Sequence, residues 1–299
     1  MNLLITGAWK PREDTLEFLY AQGHDLCIMP NEDGELPCSG EWVEGVVCNG
    51  LFLYRSLDEF PGLRYIQLTS AGFDRVPLEQ ILQRGIKINN ARGVYSRAMA
   101  EFALAGVMDL YKQMRFFHKN QELHVWEKHR GLLELAGKSV CILGCGSVGQ
   151  ACSQVFGALG CDVFGVDIAP FTCETFLEIY PMIEIDRILA SADIVICCLP
   201  LTEDTVHLID QTRFCVMKDG AVFVNISRGQ LVHPPALMDA LRHKLRGAVL
   251  DVFEEEPLNP DNPLWDLENV ILTPHNSFVG EGNSTRLEKV ILENLERFQ

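Results

Sequence analysis

The sequence predicts an α/β protein with two doubly wound, mainly parallel sheets. Three observations carry that prediction. Short apolar runs alternate with helix-compatible stretches along the whole chain, a pattern that gives parallel sheets covered by helices. The runs fall into two series, separated near residue 95 by a long helical stretch. The second series opens with a glycine-rich loop, Gly144-Cys145-Gly146-Ser147-Val148-Gly149, set between an apolar run and a helix-like segment.

Taken in order, the first series places strands at residues 3–6, 26–29, 45–48, 65–68 and 86–89. Helical stretches at 12–22 and 77–84 lie between them. Residues 96–118 form a long helix-compatible segment, with Met99, Phe102, Ala103, Gly106 and Val107 on one face. Residues 120–135 also read as helical and run into Gly137, a stop signal. The second series of strands is 139–143, 162–166, 193–199, 221–226, 248–252 and 270–273, with a helix at 147–159. A last helix, about 283–298, could pack on either domain.

Composition narrows the function. A chain of 299 residues, 47% of them hydrophobic, can build one large or two medium domains. Its 25 basic and 41 acidic residues give a net charge of −16, which argues against nucleic acid and anionic membrane surfaces as partners. An anionic small molecule is still allowed, because screening over about 8 Å lets one arginine dominate inside a cleft. No apolar run is long enough to span a bilayer. The first residues, Met1-Asn2-Leu3-Leu4-Ile5-Thr6-Gly7, read as a strand rather than a signal peptide. The eleven cysteines are scattered, without CxxC or zinc spacing, so reduced thiols in a cytoplasmic protein and no metal are expected.

The glycine loop has the context that separates a dinucleotide fingerprint from a chance match. Gly144 permits the tight turn, Gly146 admits the pyrophosphate to the backbone, and Gly149 lets helix and strand pack closely. The helix N-terminus adds free N–H groups and partial positive charge. Asp167 ends the next strand, eighteen positions after Gly149. There a carboxylate accepts hydrogen bonds from the adenosine ribose. Ile168-Ala169-Pro170-Phe171 follow with no cation for a 2′-phosphate, so NAD is favoured over NADP. Cys145, at the helix start, is a candidate for a lowered thiol pKa and oxidation.

Three later strand ends carry complementary chemistry. Arg228 follows the strand at 221–226, Asp251 and the acids Glu254, Glu255 and Glu256 follow 248–252, and His275 follows 270–273. Ligands of open parallel sheets gather beyond the carboxyl ends of strands. An arginine there can hold an anionic substrate, a histidine can move a proton, and a carboxylate can set the state of the histidine. Proximity alone does not choose among the three glutamates.

These motifs resemble the D-isomer-specific 2-hydroxyacid dehydrogenases. The resemblance rests on Gly144-x-Gly146-x-x-Gly149 with Asp167, Asn225-x-Ser227-Arg228-Gly229, Asp251-Val252-Phe253-Glu254-x-Glu256-Pro257 and Thr273-Pro274-His275. Ser70-Ala71-Gly72-x-Asp74 and Ala100-Glu101 add to it, and it covers nearly the whole chain. It implies two Rossmann-like domains with the active site in the cleft between them. A substrate domain, residues 1–95, would be completed by a C-terminal helix within 280–299, and residues 96–279 would bind NAD. By the same resemblance, Arg228 binds the substrate carboxylate, His275 is the acid/base, and Glu256, the acid before Pro257, bonds the other imidazole nitrogen. The backbone at Ala71 and Gly72 would also meet the substrate. Ser147, Val148, Ile226, Ser227, Asp251 and Ser277 would line the cofactor, and the protein would form a homodimer.

The implied activity is NAD-dependent hydride transfer between a small D-2-hydroxy acid and its 2-oxo acid. An NAD(H)-sensing, corepressor-like binding protein is the alternative. Formate oxidation is disfavoured, because that branch pairs its histidine with glutamine and this chain has Glu256. Two features depart from the family pattern. Asn276-Ser277-Phe278 follow the histidine where many members carry glycine, and Cys48-Asn49-Gly50-Leu51, where substrates are often read, has no charge. A second anionic group would have to be met by Arg75, Arg92 or Arg97.

Overall fold

A computed structural model describes residues 1–298, and the chain divides into two compact units. The first comprises Met1–Tyr95 and the described residues from Gly280 onward. Its sheet has the order β2-β1-β3-β4-β5, formed by Asn2–Thr6 (β1), Asp25–Met29 (β2), Gly45–Cys48 (β3), Tyr65–Leu68 (β4) and Lys87–Asn89 (β5). All pairings are parallel, so every strand points its carboxyl end to the same edge. β3 and β4 are buried throughout, which explains their unbroken apolar character. Helices α1 (Glu13–Ala21) and α2 (Leu78–Gln83) belong to this unit. So does the final helix, Asn283–Phe298, labelled α9 below. Its Leu287, Ile291 and Leu295 recur every four residues and pack with Leu3, Ile5 and Tyr65. Arg12 pairs with Glu288 at 2.9 Å, and Asn294 donates to Gln67 at 3.0 Å.

The second unit, Ser96–Val279, holds a larger parallel sheet of order β12-β11-β10-β9-β6-β7-β8. Its strands are Ser139–Leu143 (β6), Asp162–Asp167 (β7), Glu178–Pro181 (β8), Ile194–Cys197 (β9), Val222–Asn225 (β10), Gly247–Leu250 (β11) and Val270–Leu272 (β12). The order reverses direction around β6, from which the chain winds out to β7 and β8 and then back through β9 to β12. Helix α3 (Ser96–Lys112) lays Ala100, Ala103, Val107, Leu110 and Tyr111 on the core that includes Val140, Ile142 and Val249. A Cβ on Gly106 would lie 2.7 Å from Val249 Cγ1, so glycine lets α3 approach the sheet. Helices α5 (Ser147–Ala158), α6 (Ile185–Leu189), α7 (Gln211–Val216) and α8 (Pro234–His243) complete the unit.

Three expectations need correction. The helix expected across 96–118 breaks at Gln113, which takes the left-handed conformation at φ 51°, and α4 (Met114–Glu122) follows. The helix expected across 120–135 is absent beyond Glu122. His124 has φ 55°, and the segment is held irregularly, with Leu133 N donating to Tyr111 O and Lys112 Nζ to Leu133 O. Leu123 and Trp126 are exposed, the latter at 98%, whereas Leu133 and Leu135 at the far end pack with the core. The edge strand β8 was missed because only Ile179 in it is buried, so no apolar run marks it.

Candidate active site

The glycine loop leaves β6 and opens α5. Gly144 has φ 90°, and a Cβ there would meet the Cys198 and Leu199 backbone at 2.9 Å, so a side chain is excluded by both conformation and space. A Cβ on Gly149 would lie 2.1 Å from the Gly144 carbonyl oxygen, so the turn closes on its own helix. A Cβ on Gly146 would meet nothing within 4 Å, and the residue is exposed. Ser147 and Val148 are partly exposed at the start of the helix. The loop thus combines a rigid frame with open backbone at a helix N-terminus, which fits a dinucleotide pyrophosphate.

Asp167 stands at the end of β7, partly exposed. One oxygen accepts from Cys145 N at 2.7 Å and the other from Ala169 N at 3.1 Å. A carboxylate has about four acceptor positions, so two bonds leave capacity for ribose hydroxyls. Cys145 itself requires a correction. It is fully buried, and a Cβ on Gly165 would lie 2.3 Å from its sulfur. Burial, reinforced by the Asp167 carboxylate, pushes its thiol up to about 12, so the helix N-terminus makes no reactive thiolate.

Arg228 follows β10, partly exposed, with an extended backbone. Asn225 shapes this turn: its Oδ1 accepts from Ser227 N at 3.1 Å and its Nδ2 donates to Arg228 O at 3.0 Å. Arg228 Nη1 donates to Ser227 O at 2.8 Å. Next to it, a Cβ on Gly229 would fall 1.8 Å from the carbonyl carbon of Phe253. Glycine therefore presses the Arg228 turn against the loop that follows β11. In that loop, Phe253 N donates to Glu256 Oε1 at 3.0 Å. Glu256 Oε2 lies 2.8 Å from His275 Nδ1. Both side chains are about one-third exposed. Glu254 faces a different histidine, His207, at 2.9 Å. The acids left undivided by sequence proximity are therefore separated by geometry, and Glu256 stands at His275.

His275 has φ 52°, a conformation that costs a non-glycine residue free energy and needs support. Asp251 supplies it. Its backbone carbonyl accepts from His275 N at 2.8 Å. Its carboxylate accepts from Thr273 Oγ1 at 2.6 Å, Asn276 N at 2.7 Å and Ser277 N at 2.8 Å. Asp251 is 0% exposed, and its carboxylate braces the histidine loop. The side chains of Ile226, Ser227 and Ser277 are also turned inward. Ile226 packs in the core, Ser227 Oγ donates to Leu199 O, and Ser277 is buried beside Asp251. What they can offer a cofactor is backbone. The sequence reading missed the bracing roles of Asn225, Asp251 and Thr273; polar residues inside or next to apolar strands were the available signal.

In the first unit, Ala71 and Gly72 follow β4 on a partly exposed loop. Ser70 Oγ donates to Gly72 O at 3.0 Å and Asn90 Nδ2 to Ala71 O at 2.5 Å, leaving the loop's N–H groups outside these bonds. Arg97 pairs with Glu101 at 3.0 Å, while Arg75 and Arg92 are exposed. Ser96 is the first residue of α3, and its buried Oγ has no hydrogen-bond partner. No group of three or more His, Cys, Asp or Glu among the described residues could hold a metal, and no helix among them is long and apolar enough to cross a membrane.

Fold and site together define an NAD-binding α/β oxidoreductase. The sequence model of the D-isomer specific 2-hydroxyacid dehydrogenase NAD-binding domain matches residues 104–277, and the chain belongs to that family. It is 32% identical over 248 residues to a glyoxylate reductase of Korarchaeum cryptofilum, covering 80% of this chain and 74% of that one. It is 31% identical over 251 residues to a hydroxypyruvate reductase of Blautia hydrogenotrophica, with 81% and 77% covered. A D-isomer specific 2-hydroxyacid dehydrogenase from Xanthobacter autotrophicus Py2, crystallised with NADPH and MES, superposes with a TM-score of 0.81 at 28% identity. That likeness covers 99% of this chain and 94% of the other.

Proposed function

We propose that the protein reduces a small 2-oxo acid to its D-2-hydroxy acid, or runs the reverse reaction, with Arg228 as anchor and His275 as acid/base. Gly144, Gly146, Ser147, Val148, Gly149 and Asp167 would hold the cofactor, which would supply hydride as NADH and accept it as NAD in the reverse direction. The guanidinium of Arg228 pairs with the substrate carboxylate by two charge-assisted hydrogen bonds and polarises the adjacent 2-oxo group. Ala71 and Gly72 offer backbone N–H groups to the same carboxylate. The observation that carries the reading is the 2.8 Å pair between Glu256 and His275 Nδ1. With Nδ1 bound there, Nε2 is the atom that gives a proton to the 2-oxo oxygen and takes it back in oxidation. The adjacent carboxylate fixes the orientation of the ring.

The same reading makes Met1–Tyr95 with the C-terminal helix the substrate domain and Ser96–Val279 the nucleotide domain of a cytoplasmic homodimer. The test is Arg228→Ala. NADH binding, followed by fluorescence, should persist while kcat/KM for 2-oxo acids falls by at least about a hundredfold, as expected when a transition-state ion pair is removed. Unchanged turnover would remove Arg228 from the mechanism.

A further inference from the structure

The carboxyl edge of the smaller sheet contains an internal anion. After β2 the chain folds across the end of β1 and brings Glu32 to the end of β3. Glu32 Oε1 accepts from Thr6 Oγ1 at 2.7 Å and from Asn49 N at 2.7 Å, and Oε2 accepts from Gly50 N at 2.7 Å. Thr6 is fully buried, and Glu32 is partly exposed. One carboxylate thus takes three donors from the ends of two neighbouring strands. The next strand over is β4, tied to β3 by Thr69 N donating to Cys48 O at 2.9 Å. Its end carries the Ala71–Gly72 loop. Adjacent strands lie about 4.8 Å apart, roughly the length of a small 2-oxo acid. A substituent on an acid anchored at Ala71–Gly72 therefore extends toward Glu32 when it points to the β3 side. On that side Arg55 is already committed to Glu59, at 3.0 Å, and to Gly34 O.

We propose that Glu32 is a specificity-determining residue, a built-in anion that rejects 2-oxo acids with a second anionic group and restricts the substrate to monoanionic acids with a small neutral substituent. This rests on the 2-oxo acid reading given above. The donors of Thr6, Asn49 and Gly50 would suit a second carboxylate or a phosphate on a substrate, but Glu32 already holds them. A second anion brought to this edge meets like charge, and the N–H groups of Asn49 and Gly50 are already taken.

The experiment measures NADH oxidation with glyoxylate and hydroxypyruvate against oxaloacetate and 3-phosphohydroxypyruvate. It uses wild type, Glu32→Gln and Glu32→Asp, with thermal melts to show that each folds. Wild type should favour the monoanionic acids. Glu32→Gln should shrink that preference by about tenfold, mainly through KM of the acids with a second anionic group, and Glu32→Asp should keep it. Turnover of monoanionic acids with an unchanged preference in Glu32→Gln would overturn the role of Glu32 and leave the 2-oxo acid reading standing. Turnover of no acid by folded wild type would overturn both.

Discussion

Replacing Asp251 with asparagine separates bracing from chemistry, because Asp251 is fully buried yet supports the loop that carries His275. Its Oδ1 holds Thr273 Oγ1 and Asn276 N at 2.6 and 2.7 Å, and its Oδ2 holds Ser277 N at 2.8 Å. An asparagine that keeps its oxygen at the first pair turns an NH2 group toward the Ser277 N–H. One hydrogen bond to a charged group, worth about 1.5–3 kcal/mol, is lost, and two others become neutral and weaker. The sum is about 3 kcal/mol, concentrated on a loop whose histidine already sits at φ 52°. At about 1.4 kcal/mol per factor of ten, the properly held loop becomes roughly a hundredfold scarcer relative to displaced forms. The assay is NADH oxidation with glyoxylate beside NADH titration by fluorescence. The expected result is a fall in kcat/KM of about a hundredfold, with NADH affinity within about fivefold of wild type. A folded Asp251→Asn protein with wild-type kcat/KM would refute the bracing role.

Other substitutions test neighbouring links. Gly229→Ala forces a methyl group to within 1.8 Å of the Phe253 carbonyl carbon, so it must separate the Arg228 turn from the Glu256 loop. It should cost activity more than about tenfold and lower the melting temperature. Glu256→Gln replaces the carboxylate at His275 Nδ1 with a neutral amide, so kcat for oxo-acid reduction should fall more than about tenfold while NADH affinity persists, by steady-state kinetics beside NADH titration. Cys145, whose thiol is pushed up to about 12 by burial, should resist iodoacetamide at pH 8 in the native protein, whereas exposed Cys215 reacts, by mass spectrometry of peptides.

Much of this fold was legible in the chain because parallel strands buried on both faces read as unbroken apolar runs. Residues 45–48, 65–68 and 139–143 are strands with the expected bounds. β8 was not legible, since an edge strand with one buried residue carries no such run. The helix expected at 120–135 shows the opposite failure: Leu123, Val125 and Trp126 are exposed, and His124 turns left-handed. At the site, residue types and strand ends pointed to Arg228, to three acids and to His275, and the family motif singled out Glu256 as the partner of His275. Their pairing at 2.8 Å, and the separate partner of Glu254, depend on loop geometry that no spacing encodes. The resemblance names Asp251 as a cofactor-lining residue; its bracing role shows only in its three internal hydrogen bonds. Glu32 was invisible for a similar reason, since its donors are backbone groups seventeen and eighteen residues away and a threonine at the end of another strand.

The central claim is that His275, held by Glu256, moves the proton that accompanies hydride transfer to a 2-oxo acid. The most direct measurement is the single-turnover rate of NADH oxidation with glyoxylate or hydroxypyruvate, comparing wild type with His275→Asn. The account predicts acid-dependent NADH loss in wild type and a rate about a hundred- to ten-thousandfold lower in the variant, the usual worth of a positioned acid/base. Equal rates in the two proteins, or no acid-dependent NADH loss by wild type across the 2-oxo acids tried, would contradict it.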